Sequence, residues 1–292
     1  MPTLLEYRNR LRSVRQTQQL TRAMKFVAAA QLRRAQSRVF AARPYAEEIV
    51  RVLRSAASRI ETPYHPLLER RPEQRLLLIV LTADKGLCGA FNSNAIRRAG
   101  SFIRAHKDRE LQLIAVGRRG RDAFRKQGHQ LAGQYVDIFR HVDFHHAQEI
   151  ARQAAALYTE RKVDAVYAVY NEFKNVLTQK VMLETVLPIA PEVVAAEQQP
   201  ALRPDISDYI YEDPPQAVFD RMLPRYLESE IFRILLESAA GEQAARMTAM
   251  DGATNNAADL IDRLTLEMNK VRQAAITKEI IEVVSGAAAT AA

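Results

Sequence analysis

The chain has 292 residues, of which 48% are hydrophobic and 26% charged, and its formal net charge is +8. This composition predicts a soluble protein of one or two domains, and no apolar run reaches the roughly eighteen residues that a membrane-spanning helix needs. The single cysteine, Cys88, excludes an internal disulfide, and no N-terminal segment has the apolar core of a signal peptide. We therefore expect a reducing, cytosolic compartment.

The positive charge is concentrated near the start of the chain. Residues 1–60 contain thirteen Arg or Lys residues and only three acidic ones. A surface of this kind predicts an anionic partner, which can be phosphate, an anionic lipid or an acidic protein. A solvated helix face without a partner is the alternative, but such a face usually has acidic residues interspersed for pairing along the helix.

The first predicted element is a long helix over residues 3–58, because the sequence fits one heptad register from end to end. Pro44 lacks a backbone donor and predicts a kink or break near Ala41. The a positions are Leu4, Leu11, Gln18, Lys25, Leu32, Val39, Ala46 and Leu53. The d positions are Tyr7, Val14, Thr21, Ala28, Ala35, Ala42, Ile49 and Ala56.

The middle of the chain alternates between short apolar runs and amphipathic segments. This alternation predicts a Rossmann-like domain with a mostly parallel sheet, entered through a proline-rich linker. A further proline-rich stretch without periodicity, 188–215, predicts a surface connection. The predicted strands are 75–81, 111–116, 134–139, 165–170 and 178–184, and the predicted helices are 94–106, 118–127 and 146–161.

The last predicted element is one helix over about 225–285, with Pro224 in its first turn or at a kink just inside it. At about 1.5 Å per residue, sixty helical residues would span on the order of 90 Å, which is too long for the inside of a small domain. Its small and apolar seam predicts antiparallel packing on the first helix. The seam residues are Leu227, Ile231, Ile234, Ser238, Gly241, Ala245, Thr248 and Gly252, followed by Ala257, Ile261, Leu264, Met268, Val271 and Ala275.

These elements predict an α/β protein in which a long antiparallel coiled coil of the N- and C-terminal helices accompanies a central Rossmann-like domain with a mostly parallel sheet. The predicted boundaries are 1–60 for the first coiled-coil helix, 61–74 for the linker, 75–187 for the α/β domain, 188–215 for the connection and 216–292 for the second coiled-coil helix.

Motifs for nucleotide chemistry are missing from the predicted α/β domain. Neither G-x-x-x-x-G-K-[ST] nor G-x-G-x-x-G follows a predicted strand. The segment from Gly117 to Gly120 carries two arginines that could hold an anion at a helix terminus, although a turn role is favoured. We predict no catalytic, cofactor-binding or metal-binding residues in this chain.

Two further candidates are better explained by structure than by chemistry. The first is the cluster His141, Asp143, His145 and His146, whose adjacency does not impose one geometry on three metal ligands. We interpret it as a polar loop and helix start, with Asp143 or His145 near the N-cap. The second is Cys88, for which no base can be assigned, so a small buried residue in a tight turn is favoured.

Several motifs resemble the gamma subunit of F-type ATP synthases, and the similarity extends over essentially the whole chain. The closing part of the chain carries the strongest similarity. The motifs are QTQ (16–18), TRAMKFVAA (21–29), RPY (43–45), DKGLCG (84–89), YIYE (209–212), RYLES (225–229), EQAARM (242–247), NKVRQAAIT (269–277) and EVVSGAA (282–288).

This resemblance implies a central rotor shaft, with the two terminal helices inside a ring of alpha and beta subunits that carry the nucleotide sites. It implies that the central domain holds the epsilon subunit and the c-ring, and that rotation couples proton or sodium flow to ATP synthesis. It also implies a peripheral position on the cytoplasmic face of a bacterial inner membrane, within the complex, without direct insertion into the membrane.

The resemblance also implies partner contacts for particular residues. For the beta subunit they are Met24, Lys25, Arg272, Gln273 and Thr277. For the epsilon subunit and the c-ring they are Tyr209 and Tyr211. A hydrophobic tip, surrounded by other subunits, would comprise Ile276, Ile280, Ile281, Val283 and Val284.

The sequence departs from the family pattern at two places. Ala90 and Phe91 follow Gly89 where another glycine is usual. Asp251 and Gly252 stand where lysine or alanine is more usual, and a glycine in mid-helix costs about 1 kcal/mol relative to alanine. Local flexibility or close helix contact could explain Gly252.

Two other functions compete with the rotor shaft. A basic coiled-coil protein that binds nucleic acid would account for the charge, but aromatic residues are sparse in the first helix and no reader motif is present. A small-molecule enzyme would use the α/β domain.

Overall fold

The structure is a computed structural model. It describes residues 3–176, 178–195 and 212–291, and it describes side chains as far as residue 285. In chain order, its elements are α1 Leu4–Ala57, β1 Arg75–Leu81, α2 Phe91–Ala105, β2 Glu110–Val116, α3 Arg118–Lys126, β3 Leu131–Tyr135, α4 Phe144–Thr159, β4 Ala165–Phe173, β5 Gln179–Leu187, the single turn α5 Pro191–Val194 and α6 Pro215–Ala291.

The chain forms two compact units. One comprises residues 1–29 and 246–292, and the other comprises residues 30–245. The described part of the first unit consists of the N-terminal part of α1 and the C-terminal part of α6. The second contains the sheet together with the remaining helices and helix segments.

The larger unit is built on a five-stranded sheet in the order β3-β2-β1-β4-β5. Neighbouring strands from β3 to β4 are parallel, and β5 pairs antiparallel with β4. The predicted mostly parallel sheet is therefore confirmed. Both faces of β1 are covered: Leu77, Ile79 and Leu81 face the core that includes α4, α1 and α6, while alternate residues Leu76, Leu78 and Val80 face α2 and α3. Coverage on both faces explains why the strand is continuously apolar.

One predicted strand is misplaced. The pattern predicts a strand over 134–139, but β3 is Leu131–Tyr135, and residues Ile138–Arg140 form a turn of 3-10 helix. Asp137 adopts a left-handed conformation with φ 61°, which an extended strand cannot accommodate. Its backbone N–H is donated to the Asp84 side chain rather than to a neighbouring strand.

The first helix is not broken at Pro44, because α1 runs without interruption to Ala57. Buried residues on both sides of the proline, including Leu32, Ile49 and Leu53, fix the helix by packing. The predicted heptad register agrees with the observed burial, since every a and d position is buried or half-buried. Helix α6 begins at Pro215, so Pro224 lies inside it, beyond the first turn.

The predicted seam of the last helix is wrong at three positions. Thr248, Gly252 and Ala275 are exposed, whereas Met250, which lies outside the predicted seam, is buried. A Cβ atom on Gly252 would meet no atom of the described structure within 4 Å, so close helix contact does not explain this glycine. A strict heptad drifts against the 3.6-residue turn of a straight helix, and the buried face follows the helix.

Candidate partner-binding surfaces

The carboxyl end of a parallel sheet, where the strand order reverses, is the usual ligand crevice of an α/β fold. Here the reversal lies between β1 and β4, and helix α6 fills the space beside it. A Cβ on Gly241 would lie 3.3 Å from the carbonyl oxygen of Asn171 and 3.5 Å from the ring of Phe91. Ala245 packs on the buried cluster formed by Phe91, Ala83 and Cys88. Two small residues of α6 therefore pack against the end of β4 and the turn after β1, at the edge where α/β folds usually bind ligands.

The candidate anion site at the start of α3 is occupied by a carboxylate of the chain itself. Asp84 Oδ1 accepts hydrogen bonds from the backbone N–H groups of Arg118, at 3.0 Å, and Asp137, at 2.9 Å. The Arg118 guanidinium binds both carboxylate oxygens of Asp137. Gly117 has φ 96°, and a Cβ there would overlap the carbonyl oxygen of Thr82. The turn role predicted for this segment is confirmed.

The histidine cluster is a helix start. Asp143 is the N-cap of α4, and the His146 ring accepts from the Asp143 backbone N–H at 3.1 Å. His141 bridges Arg38 and Asp143 through its two ring nitrogens, at 2.7 and 2.8 Å. Among the residues that the structure describes, no three His, Cys, Asp or Glu side chains are grouped as metal ligands.

Cys88 is buried, as predicted, in the turn that follows β1. Its Sγ atom lies 3.2 Å from the Asn92 amide nitrogen, and the Asn92 carbonyl oxygen accepts from the Ala83 backbone N–H at 2.8 Å. These contacts fix the turn, and they supply no base for the thiol.

In the smaller unit, the two helical segments run antiparallel. Thr254 Oγ1 donates to Thr21 Oγ1 at 2.8 Å, and Lys25 Nζ donates to Asp251 Oδ1 at 2.6 Å. Farther along, burial and the neighbouring Glu267 carboxylate raise the pKa of Tyr7. Later residues of α6 thus meet earlier residues of α1, which is the predicted antiparallel pairing.

The Lys25–Asp251 pair changes the interpretation of one predicted contact residue. Lys25 is half-buried and bound within the chain, although the resemblance implies an acidic partner on another subunit for it. Its neighbour Met24 is also half-buried. The departure at Asp251 supplies the partner for Lys25, and only the pairing register of the two helices brings these residues together.

The predicted contact residues on α6 are accessible. Arg272, Gln273 and Thr277 are all exposed, and the Thr277 hydroxyl donates to the Gln273 carbonyl one turn earlier at 2.9 Å. Continuing the antiparallel register places the residues after Val271 beyond Leu4, where α1 begins. No helix in the described part of the chain lies beside them, and their side chains are exposed.

The predicted hydrophobic tip is an exposed apolar surface. Its residues are between 48% and 72% exposed: Ile276, Ile280, Ile281, Val283 and Val284. In soluble proteins, contiguous patches of exposed apolar side chains mark interaction sites. Tyr209 and Tyr211, predicted to contact other subunits, lie outside the described residues.

A second exposed surface follows the first part of α1. Five exposed arginines lie there, and none of them has a carboxylate partner among the described residues: Arg8, Arg10, Arg12, Arg15 and Arg22. Large apolar side chains are exposed on the same stretch, namely Leu5, Leu20, Phe26 and Val27. The exposure of these four side chains was not predicted from the sequence. Their positions outside a and d of the heptad could have indicated it.

No helix in the described part of the chain is both long and apolar enough to cross a membrane.

Comparison with known proteins agrees with these features. A family model described as ATP synthase matches residues 3–290. The ATP synthase gamma chain of Solibacter usitatus is 50% identical over 293 residues, covering 99% of both chains. That of Pelodictyon phaeoclathratiforme is 47% identical over 293 residues, covering 98% of both.

Solved structures show the same fold. A chain of the Tetrahymena thermophila mitochondrial ATP synthase central stalk and c-ring structure matches with a TM-score of 0.59 and 27% identity, covering 80% of this chain and 99% of that one. A chain of the Euglena gracilis mitochondrial ATP synthase matches in fold with a TM-score of 0.70 and 19% identity, covering 98% of this chain and 94% of that one. The chain belongs to the ATP synthase gamma-chain family.

Proposed function

We propose that this chain is the rotating central shaft of a bacterial ATP synthase, a non-catalytic subunit that transmits torque between a membrane c-ring and the catalytic beta subunits. Through that rotation, flow of protons or sodium ions would be coupled to ATP synthesis or hydrolysis. The chain would lie at the cytoplasmic face of the inner membrane as a peripheral part of the complex. Its partners would be the alpha, beta and epsilon subunits and the c-ring.

The observation that carries this proposal is the exposed end of α6. Among the residues that the structure describes, no second helix covers its apolar side chains. A helix exposed in this way is suited to a surrounding sleeve of other subunits, as the family resemblance implies. The packing of Gly241 and Ala245 against the end of β4 and the turn after β1 supports a non-catalytic role, because α/β folds usually bind ligands at this edge.

The proposed beta-subunit contacts are Met24, Lys25, Arg272, Gln273 and Thr277. Arg272, Gln273 and Thr277 are exposed and ready to bind. Lys25 would have to share or exchange its Asp251 partner to reach an acidic segment of the beta subunit. The arginines of α1 that have no carboxylate partner among the described residues would bind such an acidic segment without giving up an existing ion pair. They extend the proposed beta-facing surface.

The deciding experiment is co-purification with alpha and beta subunits, followed by a coupling assay. We expect one copy of this chain for three of each partner, and ion-driven ATP synthesis by the membrane-bound complex. A chain ending before Ile276 should keep the larger unit folded but couple poorly, while a chain ending after Ser285 serves as the matched control. Full coupling by the shorter chain would contradict the assigned tip.

The basic surface of α1 is also the observation that favours nucleic-acid binding, the second candidate. Of the aromatic residues available for stacking in the smaller unit, Tyr7 is half-buried beside Glu267, and Phe26 is exposed. Stacking on aromatic side chains is a main source of single-strand affinity. DNA binding at physiological salt, together with no affinity for alpha and beta subunits, would favour this second function.

A further inference from the structure

A cavity of about 380 Å³ lies beside Pro44 of α1, in the larger unit. It is enclosed by α1, by Phe144 at the start of α4, and by residues 229–237 of α6. Its volume is within the range of small-molecule pockets. The walls are mainly apolar, formed by Val39, Ala42, Ala46, Phe144, Phe232 and Leu236.

Aromatic rings form a continuous wall from the interior of this cavity to the surface. Phe232 and Phe144 meet edge to face with centroids 5.4 Å apart, and Phe144 meets Tyr45 in the same way at 6.3 Å. Tyr45 is 52% exposed and forms the outer end of the wall. The cavity therefore has an apolar aromatic wall that reaches the protein surface at Tyr45.

The charged residues of the lining differ in how they are compensated. The half-buried Arg233 guanidinium binds Glu237 and Glu184, each at 3.0 Å, and also Glu230. At the rim, Arg43 is exposed, and its guanidinium carbon lies 4.9 Å from the centroid of the Phe40 ring. Arg43 has no carboxylate partner among the described residues. An apolar interior thus ends at one uncompensated cation with available hydrogen-bond donors.

Pro44 lies on α1 between lining residues of the cavity. Proline has no N–H to donate to the carbonyl of Phe40, so this carbonyl lacks its usual helical partner. The lining residues Ala42, Arg43, Tyr45 and Ala46 flank the proline. The Arg43-Pro44-Tyr45 motif thus supplies the rim cation and the outer aromatic ring.

We propose that this cavity binds an amphiphilic monoanion, with a hydrocarbon chain of fatty-acid type along the aromatic wall and its carboxylate on Arg43. The opposite orientation is disfavoured, because an anionic head beside Arg233 would meet the carboxylate of Glu237, which also lines the cavity. The ligand would bridge α1 and α6 and stabilise the larger unit. This site goes beyond the proposed rotor function and does not depend on it.

The test uses the full chain and decanoate below its micelle-forming concentration, with binding measured by titration calorimetry. We expect saturable binding of one decanoate and a higher unfolding temperature. Butyrate should bind more than roughly tenfold more weakly because it leaves most of the wall uncovered. Decyltrimethylammonium, which has the same chain and the opposite charge, should also bind more than about tenfold more weakly.

Two variants locate the site. Arg43→Gln changes an exposed side chain, so the fold is retained, and decanoate affinity should fall by roughly fivefold to tenfold. Ala46→Phe fills the cavity and should abolish binding. Arg98→Gln, an exposed arginine on α2, is the matched control and should bind like the unaltered chain. No binding at millimolar decanoate, equal binding of the cationic analogue, or an unchanged affinity of the Arg43 variant would each overturn the proposal.

Discussion

Lys25 Nζ lies 2.6 Å from Asp251 Oδ1, although the two residues are 226 positions apart in the chain. Their side chains remain 34% and 47% exposed, so solvent screens the pair. An ion pair of this kind contributes about 0.2 to 1 kcal/mol. Its main value here is in fixing the register of the two helical segments.

A double-mutant cycle should detect this pair. We expect a coupling free energy of about 0.2 to 1 kcal/mol between Lys25→Ala and Asp251→Ala in urea unfolding. The exchanged pair, Lys25→Asp with Asp251→Lys, should recover part of the lost stability. Strictly additive single effects would mean that the contact does not stabilise the smaller unit.

The two glycines of α6 should respond differently to alanine. Gly252→Ala should stabilise the protein by about 1 kcal/mol, because a Cβ there meets no atom within 4 Å and alanine favours the helix. Gly241→Ala has the same propensity gain but places its Cβ 3.3 Å from the Asn171 carbonyl oxygen, on a strand held in the sheet. Crowding of this kind costs about 1 to 3 kcal/mol.

Urea unfolding of the two variants provides the comparison. Equal stabilisation by both substitutions would show that α6 is not packed tightly against β4 at Gly241.

Asp164 connects the starts of β1 and β4, and its loss should destabilise the sheet. Its carboxylate accepts from the backbone N–H groups of Arg75, at 2.9 Å, and Gln74, at 3.2 Å, and from the Arg75 guanidinium. Although burial raises the pKa of Asp164, these hydrogen bonds outweigh it, and the folded-state pKa lies below its usual value. Asp164→Asn should cost about 1 to 3 kcal/mol at neutral pH.

The lowered pKa of Asp164 decides how the stability of the folded protein changes with pH. Because the folded-state pKa of Asp164 is lowered, its contribution is fully present above the unfolded pKa of about 3.9 and is lost as the pH falls through the lower, folded value. The stability difference between the two proteins should therefore shrink in acid. The exposed Asp108→Asn is the matched control. A pH-independent difference would contradict the assignment.

The basic surface of α1 should contribute to assembly with an acidic partner. Reversing Arg8, Arg12 and Arg15 to Glu should weaken binding to the beta subunit and reduce its salt dependence, since all three are exposed and have no partner among the described residues. The stability of the isolated chain should change little. Reversing Arg97, Arg98 and Arg104 on α2 changes the net charge equally and controls for nonspecific effects. Unchanged affinity and salt dependence would remove the acidic-partner argument.

Polar substitutions at the tip should separate folding from assembly. Ile276→Ser, Ile280→Ser and Val283→Ser together should leave urea unfolding of the isolated chain nearly unchanged, because these side chains are already exposed. The same change should lower coupled ATP synthesis in the reconstituted complex. Loss of stability in the isolated chain would show that the tip packs against this chain.

The sequence by itself determined the long terminal helices, the mostly parallel sheet and the family. Heptad spacing fixes which residues of α1 are buried, and apolar runs such as that of Arg75–Leu81 allow a strand buried on both faces. Both signals are local periodicities, and they follow directly from the backbone geometry of a helix or a strand.

Only the tertiary structure decided what depends on distant pairing. It assigned Asp251 to Lys25, placed Gly241 against β4, left Gly252 in open space and put Asp84 at the start of α3. Each of these outcomes depends on the register between elements that are far apart in the chain. Register is set by packing and by hydrogen-bond satisfaction over the whole unit, so a one-dimensional pattern does not contain it.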